Sequence, residues 1–260
     1  MSTIKKNVFS TGLIAAFCIG VILLIYGNME YIKSGRFFDY IKITDRISFF
    51  KMSYLLSGAA LFLPVLSVLP GTAGICMELN SGFVGFELLR ETKKKFIWKT
   101  IISNALGGGA GTAISAVPFA IIAGFSKPYT VKLKDAGYMS AESYGWMGTF
   151  DTVWGGSLVI LVLIMLLFLF GAVWSTYSLI FAGFTGNIFA AMASPFLTCF
   201  FIHVVMNQTG LDGYSPINML GGTCTAINSW VHIALYQGTA LLMFAVAAYI
   251  SLNCAVRRRL

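Results

Sequence analysis

The residues best suited to chemistry in this chain are its two histidines, His203 and His232. His203 lies four residues before Asn207, so their side chains would share one face of a helix. A serine hydrolase in the membrane needs a nucleophile, such as Ser57, aligned with a histidine. The chain contains neither a G-x-S-x-G nor an H-E-x-x-H motif. We therefore interpret both histidines as interfacial or hydrogen-bonded structural residues and predict no catalytic residue and no enzyme activity.

Patterns for binding metals or nucleotides are equally weak. None of the five cysteines forms a C-x-x-C pair, which excludes a zinc ribbon. The run GGGAGT at 107–112 resembles a phosphate-binding loop only superficially, because it lacks the lysine of G-x-x-x-x-G-K-[ST] and is embedded in an apolar stretch. We predict that this chain binds no metal or cofactor, and that any chemistry of ATP and Mg²⁺ belongs to a partner.

The composition indicates that a lipid bilayer surrounds the elements that position these residues. Of the 260 residues, 57% are hydrophobic and 11% are charged, whereas about a quarter of the residues in a soluble domain are charged. The formal net charge of +8 fits Lys and Arg residues that flank membrane spans and attract anionic headgroups. A nucleic-acid partner is excluded, because no basic patch is interleaved with aromatic residues as single-strand binding requires.

Six apolar windows are long enough to cross the membrane, since a helix needs about 20 residues to do so. They lie at about 10–29, 53–77, 98–125, 156–182, 187–206 and 230–254. Sheets are excluded, because the runs do not alternate and an open sheet edge is not tolerated in lipid. The sequence predicts an all-α integral membrane protein, with six transmembrane helices in a single domain over residues 1–260.

Six spans place both termini on one side of the membrane. The clusters Lys93–Lys95 and Arg257–Arg259 favour the cytoplasm for that side. The segment 207–230 carries one charge, Asp212, and is too short and broken to cross twice. We predict that it forms a pair of short re-entrant helices before the sixth span, split near Gly221–Gly222, which dip into the outer leaflet.

Small and polar residues recur every three or four positions within several spans. Because lipid-facing positions need no polarity, such stripes mark faces that are buried or contact water. Two interpretations stay open, namely close helix packing and the lining of a translocation pathway. The candidate pathway-lining residues are Ser53, Ser57, Asn104, Ser115, Asn187, Ser194 and Thr198. Three mid-span prolines, Pro64, Pro118 and Pro195, are expected to kink or loosen their helices.

The stretch ELNSGFVGFELLRETKKKFIWKT, residues 78–100, concentrates charge between two apolar spans. At helical spacing its apolar side chains share one side and its charged side chains fall largely opposite. The apolar side comprises Phe83, Phe86 and Leu89, and the charged side comprises Glu87, Arg90 and Glu91. We predict a short amphipathic helix and a basic elbow, with Glu91 paired to Lys95. Such a helix either lies on lipid headgroups or docks onto a cytoplasmic protein.

Residues 78–106 resemble the loop between the second and third spans of ABC-2 type transporter permeases. In that family an acidic residue ends the second span, and an amphipathic coupling helix, a basic elbow and an aliphatic third span follow. The six spans, the cytoplasmic termini and the short helices before the last span are similar too. The stretch MSTIKKNVFS before the first span is shorter than the amphipathic elbow helix of the family.

The resemblance implies the permease subunit of an ATP-binding cassette exporter in a bacterial cytoplasmic membrane. Two copies of an ATPase subunit would dock on the six coupling residues, Phe83, Phe86, Glu87, Leu89, Arg90 and Glu91. A second permease copy, identical or not, would complete the translocation path. Family members export drugs, antimicrobial peptides, polysaccharides or lipids, and a pathway with few charges suits an amphipathic or hydrophobic cargo.

Other functional classes fit the sequence differently. An ion- or proton-coupled transporter needs ionisable residues in mid-span, and the predicted spans have no acidic residue there. A non-transporting membrane sensor or immunity protein could share every feature described above, so this alternative stays open. An intramembrane enzyme is a further alternative, but its support is weaker, because it rests on one candidate histidine–serine pair.

Overall fold

The computed structural model describes residues 3–55, 59–81, 83–128, 156–221 and 229–259. The structure is 87% helical and, over those ranges, contains no strands. An isolated backbone bridge joins Asp45 to Lys127. The prediction of an all-α protein is therefore confirmed. Within the described ranges, five helical segments are long and apolar enough to span a membrane.

The N-terminal part consists of one long helix and three short ones. Helix α1 (Thr3–Gly27) contains most of the first predicted span, but its apolar part, Thr11–Gly27, is shorter than the five spanning segments. The chain then forms α2 (Met29–Lys33), α3 (Phe37–Ile43) and α4 (Arg46–Phe50). Asp45 begins α4, because its carboxylate accepts hydrogen bonds from the backbone N–H groups of Ile47 and Ser48, at 3.0 and 2.9 Å.

The second span differs from the predicted window 53–77. A π-helix over Lys51–Leu55 and a 3-10 helix over Ala59–Phe62 precede two α-helices, α5 (Leu63–Val68) and α6 (Thr72–Asn80). The apolar segment of spanning length is Ala60–Asn80, so the predicted window begins too early and ends three residues short. Pro70 explains the turn between α5 and α6, since proline lacks the N–H that would continue the helix.

The remaining helices follow their predicted spans closely. After α7 (Phe83–Leu88) come α8 (Lys93–Ala123), α9 (Ser157–Thr185), α10 (Ile188–Gln208), α11 (Pro216–Gly221) and α12 (Trp230–Arg259). Pro118 and Pro195 lie inside α8 and α10, both of which continue through the proline. A 3-10 helix at Asp212–Tyr214 and then α11 occupy the place of the first predicted re-entrant helix. The second predicted re-entrant helix lies largely outside the described residues.

Helix α9 is the centre of the packing and contacts α8, α10 and α12. Two glycines of the GGGAGT run, Gly108 and Gly109, face α9. A Cβ atom at Gly108 would overlap Ser175 and the carbonyl oxygen of Ser67, and one at Gly109 would overlap the backbone of Phe168. The run is therefore a close helix-packing surface, as small residues commonly provide in membranes.

The two ends of the helix bundle are built differently. At one end, buried side chains of α6, α7, α8, α9 and α12 form what we call the basal cluster, namely Ile75, Leu79, Val84, Phe96, Ile97, Ile101, Leu179, Ala248, Leu252 and Val256. At the opposite end, backbone hydrogen bonds of 3.0 Å join Thr44 and Arg46 to Lys127. Arg46 Nη1 also donates to Ser157 Oγ at 2.9 Å, so polar contacts connect α4 to the start of α9.

Candidate functional site

Helix α7 is fixed to the bundle at the basal end. Just before it, Asn80 Nδ2 donates to the carbonyl oxygen of Gly186 at 2.7 Å, in the turn between α9 and α10. Val84 of α7 is buried in the basal cluster. Just after α7, Lys93 Nζ donates to the carbonyl oxygen of Asn253 in α12 at 3.0 Å. The segment thus contacts several helices rather than lying apart from them.

The apolar side chains of this segment divide into a buried and an exposed group. Val84 is 3% exposed, and Leu88 packs against the basal cluster. By contrast, Phe86 is 67% exposed and Leu89 is 84% exposed. Phe83 is half-buried, and its ring centroid lies 6.2 Å from that of Phe86. Phe86 and Leu89 are therefore open apolar side chains, one near the end of the anchored helix and one directly after it, which we call the tip pair.

The charged side of the segment differs from the prediction. Glu91 Oε1 lies 3.1 Å from Lys99 Nζ, so Glu91 pairs with Lys99 rather than with Lys95. The cause is that α7 ends at Leu88 and a new helix begins at Lys93, so Glu91 and Lys95 are not on one helix. Glu87 contributes its carbonyl oxygen, which accepts the N–H groups of the two residues that follow Leu89. The predicted basic elbow is the first turn of α8, and Arg90 is exposed.

Three candidate pathway residues lie in helix contacts. Asn104 Nδ2 donates to the carbonyl oxygen of Ser175 at 2.6 Å, and Ser175 Oγ donates to the carbonyl oxygen of Asn104 at 3.1 Å. Ser115 Oγ lies 2.8 Å from Tyr54 Oη. Ser53 Oγ donates to the side chain of a residue near the end of α1 at 3.0 Å. Asn104, Ser115 and Ser53 are all buried, so in this conformation they bond to other helical elements.

The other candidates lie at α10 or outside the described residues. Asn187 is exposed, and its side chain accepts hydrogen bonds from the first N–H groups of α10. Ser194 is buried and donates to a carbonyl of its own helix at 3.2 Å. Thr198 Oγ1 lies 2.9 Å from Tyr177 Oη of α9. Ser57 lies outside the described residues. A pathway role for all seven residues stays a prediction.

A hydrogen-bonded chain links the end of α10 to α11. His203 Nδ1 lies 2.7 Å from Ser215 Oγ, and its Nε2 lies 3.1 Å from Asn207 Nδ2. Asn207 in turn accepts from Asn218 at 3.0 Å. The tautomer of His203 decides which atom of each pair donates. Ser215 is fully buried, so these hydrogen bonds join the end of α10 to the start of α11.

Sequence reasoning identified His203 and Asn207 but missed Ser215, although a serine directly before a proline is a typical helix-start pattern. His232 is exposed at the start of α12. Among the described residues, no group of three or more His, Cys, Asp or Glu side chains could hold a metal ion. The whole chain matches no protein-family model, no curated protein and no solved structure.

Proposed function

We propose that this chain is the permease subunit of an ATP-binding cassette exporter, which moves an amphipathic or hydrophobic cargo with ATP hydrolysed by two copies of a partner ATPase. One observation carries the proposal. The tip pair, Phe86 of α7 and Leu89 directly after it, is exposed, while Val84 of α7 is buried in the basal cluster. This combination of an anchored base and an exposed apolar tip suits a helix that docks into a groove and transmits force.

Six alternating spans, with both termini cytoplasmic, are part of the proposal. Helix α1 has 25 residues and so extends about 37 Å, enough to cross the hydrocarbon core. Its glycines allow close contact along the bundle, with Gly12 against Leu69 and Pro70 and Gly20 against the backbone of Ser115. The lysines that begin α8 lie at the basal end, which we assign to the cytoplasmic face of a bacterial plasma membrane.

In the proposed mechanism, the ATPases close on binding ATP and displace the tip pair. Val84 carries that displacement into α8 and α12 through the basal cluster. Asn80 carries it to the turn before α10 through its bond to Gly186. ATP drives the change because it binds the closed ATPase pair more tightly than the open one. A second permease copy, identical or not, completes the path.

Helices α8 and α9 move as one unit in this scheme. Asn104 and Ser175 join them by two hydrogen bonds, and Gly108 and Gly171 bring their backbones into contact. Helix α10 is the least buried of the described spans, so it has the most surface available to a second copy or to cargo. In this scheme, the surface that moves relative to the other helices therefore lies along α10, which includes Ser194 and Thr198.

Purification of the tagged full-length chain from its native host tests the proposal. We expect the parent chain to retain an ATPase subunit whose activity is sensitive to vanadate, and Phe86→Asp with Leu89→Asp to lose it. Phe38→Asp is the matched control, because Phe38 is 73% exposed at the opposite end of the bundle and should retain the ATPase. A parent chain that retains no ATPase, or a tip-pair variant that binds it normally, contradicts the proposal. Bound ATPase without cargo movement favours the non-transporting sensor.

A further inference from the structure

A cavity of about 70 Å³ lies on α9 between α10 and α12. Within the described residues, α10 and α12 each pack against α9 but hardly against each other, and they are the least buried spans. The gap between them is a groove with an aromatic floor. The ring centroids of Phe170 and Trp174 are 6.0 Å apart, and Phe244 of α12 lies 6.5 Å from Trp174. Met219 of α11 also lines the cavity.

Gln237, a polar residue of this lining, has a side-chain oxygen without a donor among the described residues. It is 5% exposed, and its Oε1 accepts no hydrogen bond from the described residues. Helix α12 begins at Trp230, so Gln237 lies about 10 Å along the helix axis and within the hydrocarbon depth. A buried acceptor without a donor is costly there.

We propose that this groove binds a neutral amphipathic alcohol that enters from the bilayer. The hydroxyl of the ligand donates to Gln237 Oε1, and its apolar body packs on Trp174 and Phe244. The ligand is neutral because no charged side chain lines the cavity, so an ionic headgroup would lose its hydration without gaining a counter-ion. The inference depends on the groove alone and holds whether or not the chain pairs with an ATPase.

Quenching of Trp174 fluorescence tests this binding in the purified full-length chain in nanodiscs. The probe is 2-bromododecan-1-ol, whose bromine quenches tryptophan at short range, and its matched control is 2-bromo-1-methoxydodecane, which has no donor. We expect saturable quenching by the alcohol at about ten-fold lower concentration than by the ether, since the ether leaves Gln237 Oε1 without a donor. The saturable component should disappear in Trp174→Phe, leaving the linear quenching that partitioning causes at the other tryptophans.

Variants separate the hydrogen bond from general partitioning. Gln237→Leu should bind the alcohol and the ether equally, and Thr239→Val, which changes an exposed residue of the same helix outside the cavity lining, should keep the parent preference. Thermal unfolding of each variant confirms that it is folded. Equal saturation by alcohol and ether in the parent chain, or purely linear quenching by both, overturns the proposal. Retention of the ten-fold preference in Gln237→Leu also overturns it, because another group would then accept the hydroxyl.

Discussion

Asn104 and Ser175 bind each other through two hydrogen bonds, one of 2.6 Å from the Asn104 amide to the Ser175 carbonyl and one of 3.1 Å from the Ser175 hydroxyl to the Asn104 carbonyl. Both residues are buried where α8 crosses α9. A side-chain bond between membrane helices contributes about 0.6–2 kcal/mol, and loss of a partner leaves polar groups unsatisfied. The pair therefore fixes the register of the two helices.

Replacement of this amide should destabilise the bundle. We expect Asn104→Ala to lower the free energy of unfolding by about 1–3 kcal/mol, measured by denaturant titration in mild detergent. Thr239→Ala is a suitable control, because Thr239 is exposed and bonds within its own helix, and should change stability by less than about 0.5 kcal/mol. An Asn104→Ala chain as stable as the parent would show that the pair contributes nothing to register.

The backbones of α8 and α9 are in close contact at Gly171, so we predict that a larger residue is not tolerated there. A Cβ atom there would overlap Thr112 Oγ1 and the carbonyl oxygen of Gly108, so Gly171→Ala should separate α8 from α9 and cost about 1–3 kcal/mol. Gly238→Ala is the matched control, since a Cβ atom at Gly238 has no neighbour within 4 Å and alanine favours the helix. The melting temperature in detergent should fall for Gly171→Ala and stay level or rise for Gly238→Ala. The opposite order would contradict the packing argument.

The ion pair between Glu91 and Lys99 predicts a charge-reversal pattern at residues 83–91, the segment on which we propose that the ATPase docks. Because Lys99 is half exposed, Glu91→Lys should change stability by less than about 1 kcal/mol but should displace the loop and reduce ATPase binding. The double variant Glu91→Lys with Lys99→Glu restores the pair and should restore binding. If the double variant binds as weakly as the single one, Glu91 contacts the partner directly. Arg90→Glu, by contrast, should weaken ATPase binding about ten-fold, and no second substitution in this chain should restore that binding.

The hydrogen bond between His203 and Ser215 should make the effects of substitutions at these two residues on stability non-additive. Since both residues contribute to one hydrogen bond of 2.7 Å, His203→Ala and Ser215→Ala remove the same interaction. A double-mutant cycle should give a coupling free energy of about 0.5–3 kcal/mol. Additive effects would show that the bond contributes nothing. Loss of a hydrolytic activity in either variant would instead support the enzyme alternative.

Tyr40 predicts a pH dependence at alkaline pH. Burial, followed by the proximity of Tyr31, raises the pKa of Tyr40 from 10.0 to about 12. The unfolded chain then loses this phenolic proton before the folded chain does, so the stabilisation is fully present below pH 10 and is lost as the pH rises toward 12. Between pH 9 and 12, the melting temperature should fall less steeply with pH for Tyr40→Phe than for the parent chain. If the melting temperatures of the two chains fall equally with pH, the raised pKa of Tyr40 is contradicted.

The long helices were predictable because lipid leaves few alternatives. Each apolar run had to satisfy its backbone internally, and so the bounds of α9 and α10 lie close to the predicted windows. The turn at Pro70 was missed because hydropathy does not distinguish one helix from two collinear ones. The period of residues 83–91 indicated two sides for the helix, but it did not show that Val84 would be buried while Phe86 stayed exposed. That division depends on neighbours that are distant in sequence, such as Leu252.

The partner of Glu91 could not be predicted for a related reason. Pair rules for helices apply within one continuous helix, and the chain changes direction between Leu88 and Lys93. The cavity beside Gln237 was equally hidden, since it needs α9, α10 and α12 in their assembled positions.

The hydrogen bond from Asn80 to the carbonyl of Gly186 has a mechanical consequence for α10. That helix begins one residue beyond the Gly186–Asn187 junction, and near its other end His203 holds Ser215. It is thus held close to both ends, and a smaller share of its residues is buried than in the other described spans. A helix held near both ends turns about its own axis more readily than it slides along it. We therefore expect any motion of α10 to be a rotation that turns different side chains toward a neighbour while both of its ends stay in place.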